Sequence, residues 1–303
     1  MAGHTTREAP FGVLLTAMVT PFKPDGSVDL AGAQVLATHL VDNLANDGLV
    51  INGTTGESPT KTDEEDLAVL QAVLEAVGDR ATIVAGVGTN DTAHSISAAK
   101  AAAAIGAHGL MAVTPYYNRP PQAGLIAHFH AIADATDLPL ITYDIPKRTG
   151  TAIENDTFVR IAEHPRIVGN KDAKGDLDAA QWVMARTGLA WYSGDDELHL
   201  PLLAVGGAGM ISVVGHLVGD RLSKMAAAVS AGDLSTARKI NNALLPVYRG
   251  IFRTQGVITT KAALAHLGLP SGPVRLPLVD ATPEQCAQLW RDLSDGGVPG
   301  FSA

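Results

Sequence analysis

Ile167-Val168-Gly169-Asn170-Lys171-Asp172-Ala173 is short, apolar and β-branched, and the helix starter Lys174-Gly175-Asp176 follows it. The stretch predicts a buried strand. Alternation assigns Ile167, Gly169, Lys171 and Ala173 to one face, and Val168, Asn170 and Asp172 to the other. Lysine is seldom buried without a partner. A desolvated lysine gives up its proton easily, and the neutral amine can attack a ketone to form a Schiff base. Alone, the stretch favours a lysine that reaches solvent from a strand end. The chain on either side reverses that preference.

Just upstream, Pro139–Ile145 reads as a strand and Glu154–Ala162 as a helix. Downstream, Leu177–Ala185 reads as a helix, Trp191-Tyr192-Ser193 as a strand and Glu197–Val205 as a helix. Gly209–Val214 then reads as a strand, with a helix near Arg221–Ser230. Toward the N-terminus the alternation continues. Leu14–Phe22 is a strand before a helix from Asp29 to about Asn46, and Gly48–Asn52 a strand before a helix ending at Val77. Thr82–Gly88 and Gly109–Thr114 are strands before helices at Thr92–Ile105 and Pro121–Ala135. Thr62-Asp63-Glu64-Glu65 has the hydroxyl and the later carboxylate of a capped helix start.

Eight strand-helix units without a linker predict an α/β fold, a closed (β/α)₈ TIM barrel. A doubly wound open sheet is the competing architecture. Leu234–Arg253, Thr260–Leu267 and Pro283–Leu293 predict a C-terminal three-helix extension. The expected division is a disordered lead-in at 1–11, a barrel at 12–231 and the extension at 232–303.

Apolar residues make up 46% of the 303, ample for a core, and the net charge of -9 argues against nucleic acid or an anionic membrane as partner. No apolar run is long enough to span a bilayer. The one cysteine, Cys286, excludes an internal disulfide, and no Cys/His cluster has zinc spacing. Cys286 itself reads as a small buried apolar residue. The expected location is cytoplasmic.

Barrel chemistry gathers at the C-terminal ends of the strands. Thr54, Thr55 and Glu57 follow the second strand, and Tyr116, Tyr117 and Asn118 the fourth. Tyr143, Lys147 and Arg148 lie at or after the fifth, Lys171 on the sixth, and Ser193, Asp195 and Asp196 at or after the seventh. Agreement among five strand ends predicts an active site. Lys174 falls in the turn and reads as a solvated ammonium.

Gly53-Thr54-Thr55-Gly56-Glu57-Ser58, Pro115-Tyr116-Tyr117-Asn118, Tyr143-Asp144-Ile145-Pro146-Lys147-Arg148-Thr149-Gly150, Lys171-Asp172-Ala173 and Ser193-Gly194-Asp195-Asp196 occur in that order. From about Gly12 to Leu293 the chain resembles the dihydrodipicolinate synthase family. The resemblance implies a barrel with a helical extension that condenses pyruvate with L-aspartate 4-semialdehyde, with no metal or organic cofactor. It implies Lys171 as the Schiff-base residue, and Tyr143, Thr54 and Tyr117 as a proton relay, Tyr117 reaching in from a neighbouring subunit. It further implies Thr55 on the pyruvate carboxylate, Arg148 on the semialdehyde carboxylate, and the Ile211 carbonyl near pyruvate. The assembly it implies is a homotetramer, a dimer of tight dimers.

Two other readings compete. A related class I pyruvate aldolase, acting on a sugar acid or another 2-keto acid, would share the lysine and the tyrosine. Arg148 disfavours it, because a polyhydroxy sugar needs no carboxylate clamp. A retired barrel that only binds 2-keto acids would not keep Lys171, Tyr143, Thr54 and Tyr117 together. Glu57 reads as structural and Lys147 as a solvated loop residue, and Gly194 and Asp195 are assigned no chemical step. Asn170 departs from the family, which usually has a β-branched residue there. Facing the helix layer, an unpaired amide would cost about 1–3 kcal/mol. Asp63, Asp66 and His94 depart from the lysine-inhibited pattern that Asn90 and Tyr116 fit, which implies weak or absent inhibition by lysine.

Overall fold

A computed structural model describes residues 9–301. Eight parallel strands run in sequence order around a closed barrel. They are β1 Leu14–Ala17, β2 Gly48–Ile51, β3 Thr82–Gly86, β4 Gly109–Val113, β5 Leu140–Asp144, β6 Ile167–Asp172, β7 Ala190–Ser193 and β8 Gly209–Ser212. The helices between them are α1 Leu30–Asp42, α2 Asp63–Val77, α3 Thr92–Ala104, α4 Gln122–Asp134, α5 Pro146–Thr149, α6 Asn155–Ile161, α7 Leu177–Thr187 and α8 His199–Ala204. After β8 come α9 Gly215–Ser230 and three C-terminal helices, α10 Leu234–Ile251, α11 Gly256–His266 and α12 Pro283–Asp295. The (β/α)₈ expectation with its helical extension therefore stands, and the open sheet does not.

The chain forms two compact units. Among the described residues, one joins Thr82–Ile211 to 9–13; the other joins Leu14–Ala81 to 212–301. In the first, β4, β5, β6 and β7 pair in parallel, with Tyr143 opposite Lys171 and Lys171 opposite Tyr192. The ladder runs on past the strand ends: Ala173 N–H donates to Asp144 O and Gly194 N–H to Asp172 O. In the second, β1 pairs with β2, Ala17 opposite Val50. There Thr62 and Glu65 form the expected capping box on α2.

Of the expected lead-in, residues 1–8 lie outside the described residues. Phe11 is not disordered: its ring is buried and its N–H donates to the Tyr192 hydroxyl at 3.2 Å. The first strand stops at Ala17 rather than Phe22, because Phe22 leaves the sheet to bridge Val28. The helix expected from Arg221 begins at Gly215 and kinks at Val218. Glycines that look like breakers there admit close packing instead. A Cβ on Gly215 would lie 2.1 Å from Thr16 Oγ1, and one on Gly219 2.4 Å from the Leu44 carbonyl. Cys286 is half-buried rather than buried. Among the described residues no helix is long and apolar enough to cross a membrane.

Candidate active site

Lys171 lies on β6 with 5% of its surface exposed, and its Nζ stands 4.2 Å from the centre of the Tyr143 ring on β5. Burial pushes its ammonium down to about 8; Asp196 opposes that shift and Arg148 adds to it. A lysine near 8 keeps a usable fraction of neutral amine at neutral pH. Gly194 makes room for its stem, since a Cβ there would lie 2.8 Å from Lys171 Cγ and 2.9 Å from Cε.

Tyr143 thus lies beside Lys171, and Arg148 acts on the charge of Lys171 from the following turn. Arg148 is exposed on α5, a four-residue helix entered through Pro146 and closed by Gly150 in the left-handed region. Ile211 is buried on β8. Tyr117 stands apart: it is 90% exposed and its backbone is left-handed, φ 73°. A left-handed tyrosine is strained, costing about 1–3 kcal/mol.

In the other unit, Thr54 and Thr55 open a single 3-10 turn, Thr54–Gly56, directly after β2. The residue that caps its end, Glu57, is also left-handed at φ 55°. Buried Glu57 is structural, as expected, although its partners lie far along the chain. Its Oε1 pairs with Lys261 Nζ at 2.6 Å and its Oε2 accepts from Arg275 N–H at 2.8 Å. Arg275 forks onto Glu65 and covers the Phe22 ring, whereas Lys61 pairs with Asp66 at 2.7 Å.

Asn170 is fully buried on the face opposite Lys171, beside Thr142. Thr142 Oγ1 donates to its Oδ1 at 2.8 Å, and its Nδ2 has no partner. Flipping the amide would only exchange the orphaned atom. The pairing of β5 with β6 also shifts register between Leu140 and Ile141. The asparagine thus finds a partner for its oxygen only, while Lys171 keeps its place beside Tyr143.

Several groups escaped the sequence. Burial pushes the Asp144 carboxyl, one strand position beyond Tyr143, up to about 7, and Asp172 adds to the rise. Asp172 is capped by three donors, the N–H groups of Lys174 and Gly175 and the Trp191 indole at 2.8 Å. His199 is wholly buried between Ser193 and Asp196. The i, i+3 spacing of Asp196 and His199 was a usable signal for that pair.

The dihydrodipicolinate synthetase family model matches residues 10–295. The chain is 63% identical over 298 residues to 4-hydroxy-tetrahydrodipicolinate synthase 2 of Streptomyces coelicolor, covering 98% of this chain and 99% of that one. It is 62% identical to the 4-hydroxy-tetrahydrodipicolinate synthase of Acidothermus cellulolyticus, over 98% of this chain and 96% of that one. A crystal structure of the Cyanidioschyzon merolae dihydrodipicolinate synthase with lysine bound superposes with a TM-score of 0.93 at 41% identity, covering 96% of this chain and 99% of that one.

Proposed function

The chain belongs to the dihydrodipicolinate synthetase family, and from that premise we propose that it condenses pyruvate with L-aspartate 4-semialdehyde to 4-hydroxy-tetrahydrodipicolinate. The observation that carries the reading is the buried Lys171 amine, lowered to about 8 and lying 4.2 Å from the Tyr143 ring. The neutral amine attacks the ketone carbon of pyruvate; loss of water leaves an imine, an electron sink that needs no cofactor. Removal of a methyl proton gives an enamine, whose carbon adds to the aldehyde of the semialdehyde. The amine of that substrate then attacks the imine carbon, closes the six-membered ring and releases Lys171.

Each step moves a proton, and aligned hydroxyls carry protons best. Tyr143, Thr54 and Tyr117 fill that role in this reading, with Tyr117 serving a neighbouring copy. Its exposure and its left-handed backbone support a side chain that acts outside its own subunit. Thr55 holds the pyruvate carboxylate with its hydroxyl and N–H, a task suited to a turn with unpaired donors. Arg148 takes the second carboxylate through its planar fork, and the Ile211 carbonyl borders the pyruvate site.

A homo-oligomer, a tetramer of paired dimers, and a cytoplasmic setting complete the proposal. Inhibition by lysine is weak or absent: Asp66 is engaged by Lys61 and Asp63 and His94 depart from the sensitive pattern. Strong inhibition by sub-millimolar lysine overturns that part. Turnover of the two substrates, coupled to the reductase that consumes the product, tests the activity. No turnover with pyruvate still trapped on Lys171 by borohydride moves the function to a related aldolase.

A further inference from the structure

Arg148 lies on a loop whose return segment is fastened by side chains rather than by backbone. α5 is a single turn of four residues, too short to hold itself. After Gly150, the N–H groups of Thr151, Ile153 and Glu154 all go to side-chain oxygens. The Thr151 partner is local, the Thr149 hydroxyl. The other two partners lie outside the loop. Asp144, buried at the end of β5, accepts from Ile153 N–H through Oδ1 at 3.3 Å. Gln122, the first residue of α4, accepts from Glu154 N–H through Oε1 at 3.1 Å, and its Nε2 donates to the Ala152 carbonyl at 2.9 Å. A carbonyl and the N–H two residues on are what an extended chain offers to one neighbouring strand. A primary amide carries a donor and an acceptor in one plane, so Gln122 takes that strand's place. Neither Gln122 nor Asp144 has a step in the condensation.

We propose that Gln122 is a positioning residue for the second substrate: together with Asp144 it fixes the base of the Arg148 loop, so that the guanidinium is already placed when the semialdehyde carboxylate arrives. This rests on reading Arg148 as the residue that takes that carboxylate. A planar fork binds two oxygens only in one orientation. A loop that must order itself on binding spends part of the affinity on doing so, and a held loop does not. The pyruvate half of the reaction depends on none of these contacts. Lys171 and Tyr143 stand opposite each other on β6 and β5, and the strand pairing sets their places. The brace therefore bears on one substrate and leaves the other alone, a split that a merely structural role for Gln122 does not produce.

The test pairs steady-state kinetics, with the semialdehyde varied at saturating pyruvate, with borohydride trapping of pyruvate on Lys171. Gln122→Met keeps the length of the side chain and loses both hydrogen bonds. Its KM for the semialdehyde is expected to rise about tenfold, with pyruvate trapping unchanged, which also reports that the barrel is folded. Asp144→Leu should act in the same direction, whereas Asp144→Asn keeps the acceptor and should stay near the parent. In an Arg148→Ala background, Gln122→Met should add little, because the group it positions is gone. Three outcomes overturn the inference while Arg148→Ala alone still raises KM: an unchanged KM in Gln122→Met, trapping and KM damaged alike, or the full tenfold effect on top of Arg148→Ala. An unchanged KM in Arg148→Ala itself overturns the reading of Arg148, and the inference with it. A parent protein that traps pyruvate and turns over no semialdehyde overturns both at the level of the reaction.

Discussion

At the scale of single residues, two neighbours on β6 face opposite demands. Lys171 needs an environment that makes its charge costly. Its folded value, about 8, is below the ordinary lysine value of 10.5. The folded state therefore holds this proton less tightly than the unfolded state, and the amine becomes neutral as pH rises through about 8. Imine formation at saturating pyruvate should rise with pH up to about 8 and then level. A rate flat from pH 6 to 9 would contradict the lowered value. The same sign makes the lysine a burden on stability below pH 8, eased as pH climbs toward 10.5. Asn170 is a second burden, with an orphaned Nδ2 in full burial. Asn170→Val should raise stability by about 1 kcal/mol and leave pyruvate trapping on Lys171 intact. A variant that melts no higher than the parent would show that the amide is satisfied in solution.

At the scale of elements, the 3-10 turn after β2 is held from outside itself. Glu57, at the end of that turn, is fastened by Lys261 of α11 and by the backbone of Arg275. Lys261 also donates to the Pro273 carbonyl at 2.8 Å and stands over the Phe22 ring. Removing one member of a buried ion pair strands the other. Lys261→Met should cost about 3–5 kcal/mol, and a second change, Glu57→Gln, should restore a large part of it. A loss under about 1 kcal/mol in a chemical denaturation series would show that water or another cation replaces the lysine. The C-terminal helices thus secure the loop that carries Thr54 and Thr55. The sequence showed that loop and that extension separately. Nothing in its spacing linked Glu57 to partners some two hundred residues away.

At the scale of the whole molecule, the proposed role of Tyr117 is to complete the active site of a neighbouring copy. Its 90% exposure and φ of 73° mark a side chain displayed rather than packed. Mixing two inactive variants, Lys171→Ala and Tyr117→Phe, in one refolded assembly should restore partial activity. A Tyr117→Phe copy supplies the lysine, and its Lys171→Ala neighbour supplies the tyrosine. No recovery from a verified mixed oligomer would place Tyr117 in its own subunit's chemistry.

The sequence by itself determined the barrel, the three C-terminal helices and the residue types at the strand ends. Those follow from local rules: alternation, capping and the short glycine- and proline-bounded turns between βα units. It also carried the lysine, the tyrosine and the arginine, because each falls at a strand end where chemistry collects. The charge environment of Lys171 was decided only by the tertiary structure. In sequence Asp196 and His199 offer no more than an i, i+3 spacing at a polar helix start. Only the fold buries both after β7 and brings His199 between Ser193 and Asp196. The same holds for Glu57 with Lys261 and for Asn170 with Thr142: charge and hydrogen-bond energies depend on which distant groups share a desolvated space, and sequence order does not encode that distance.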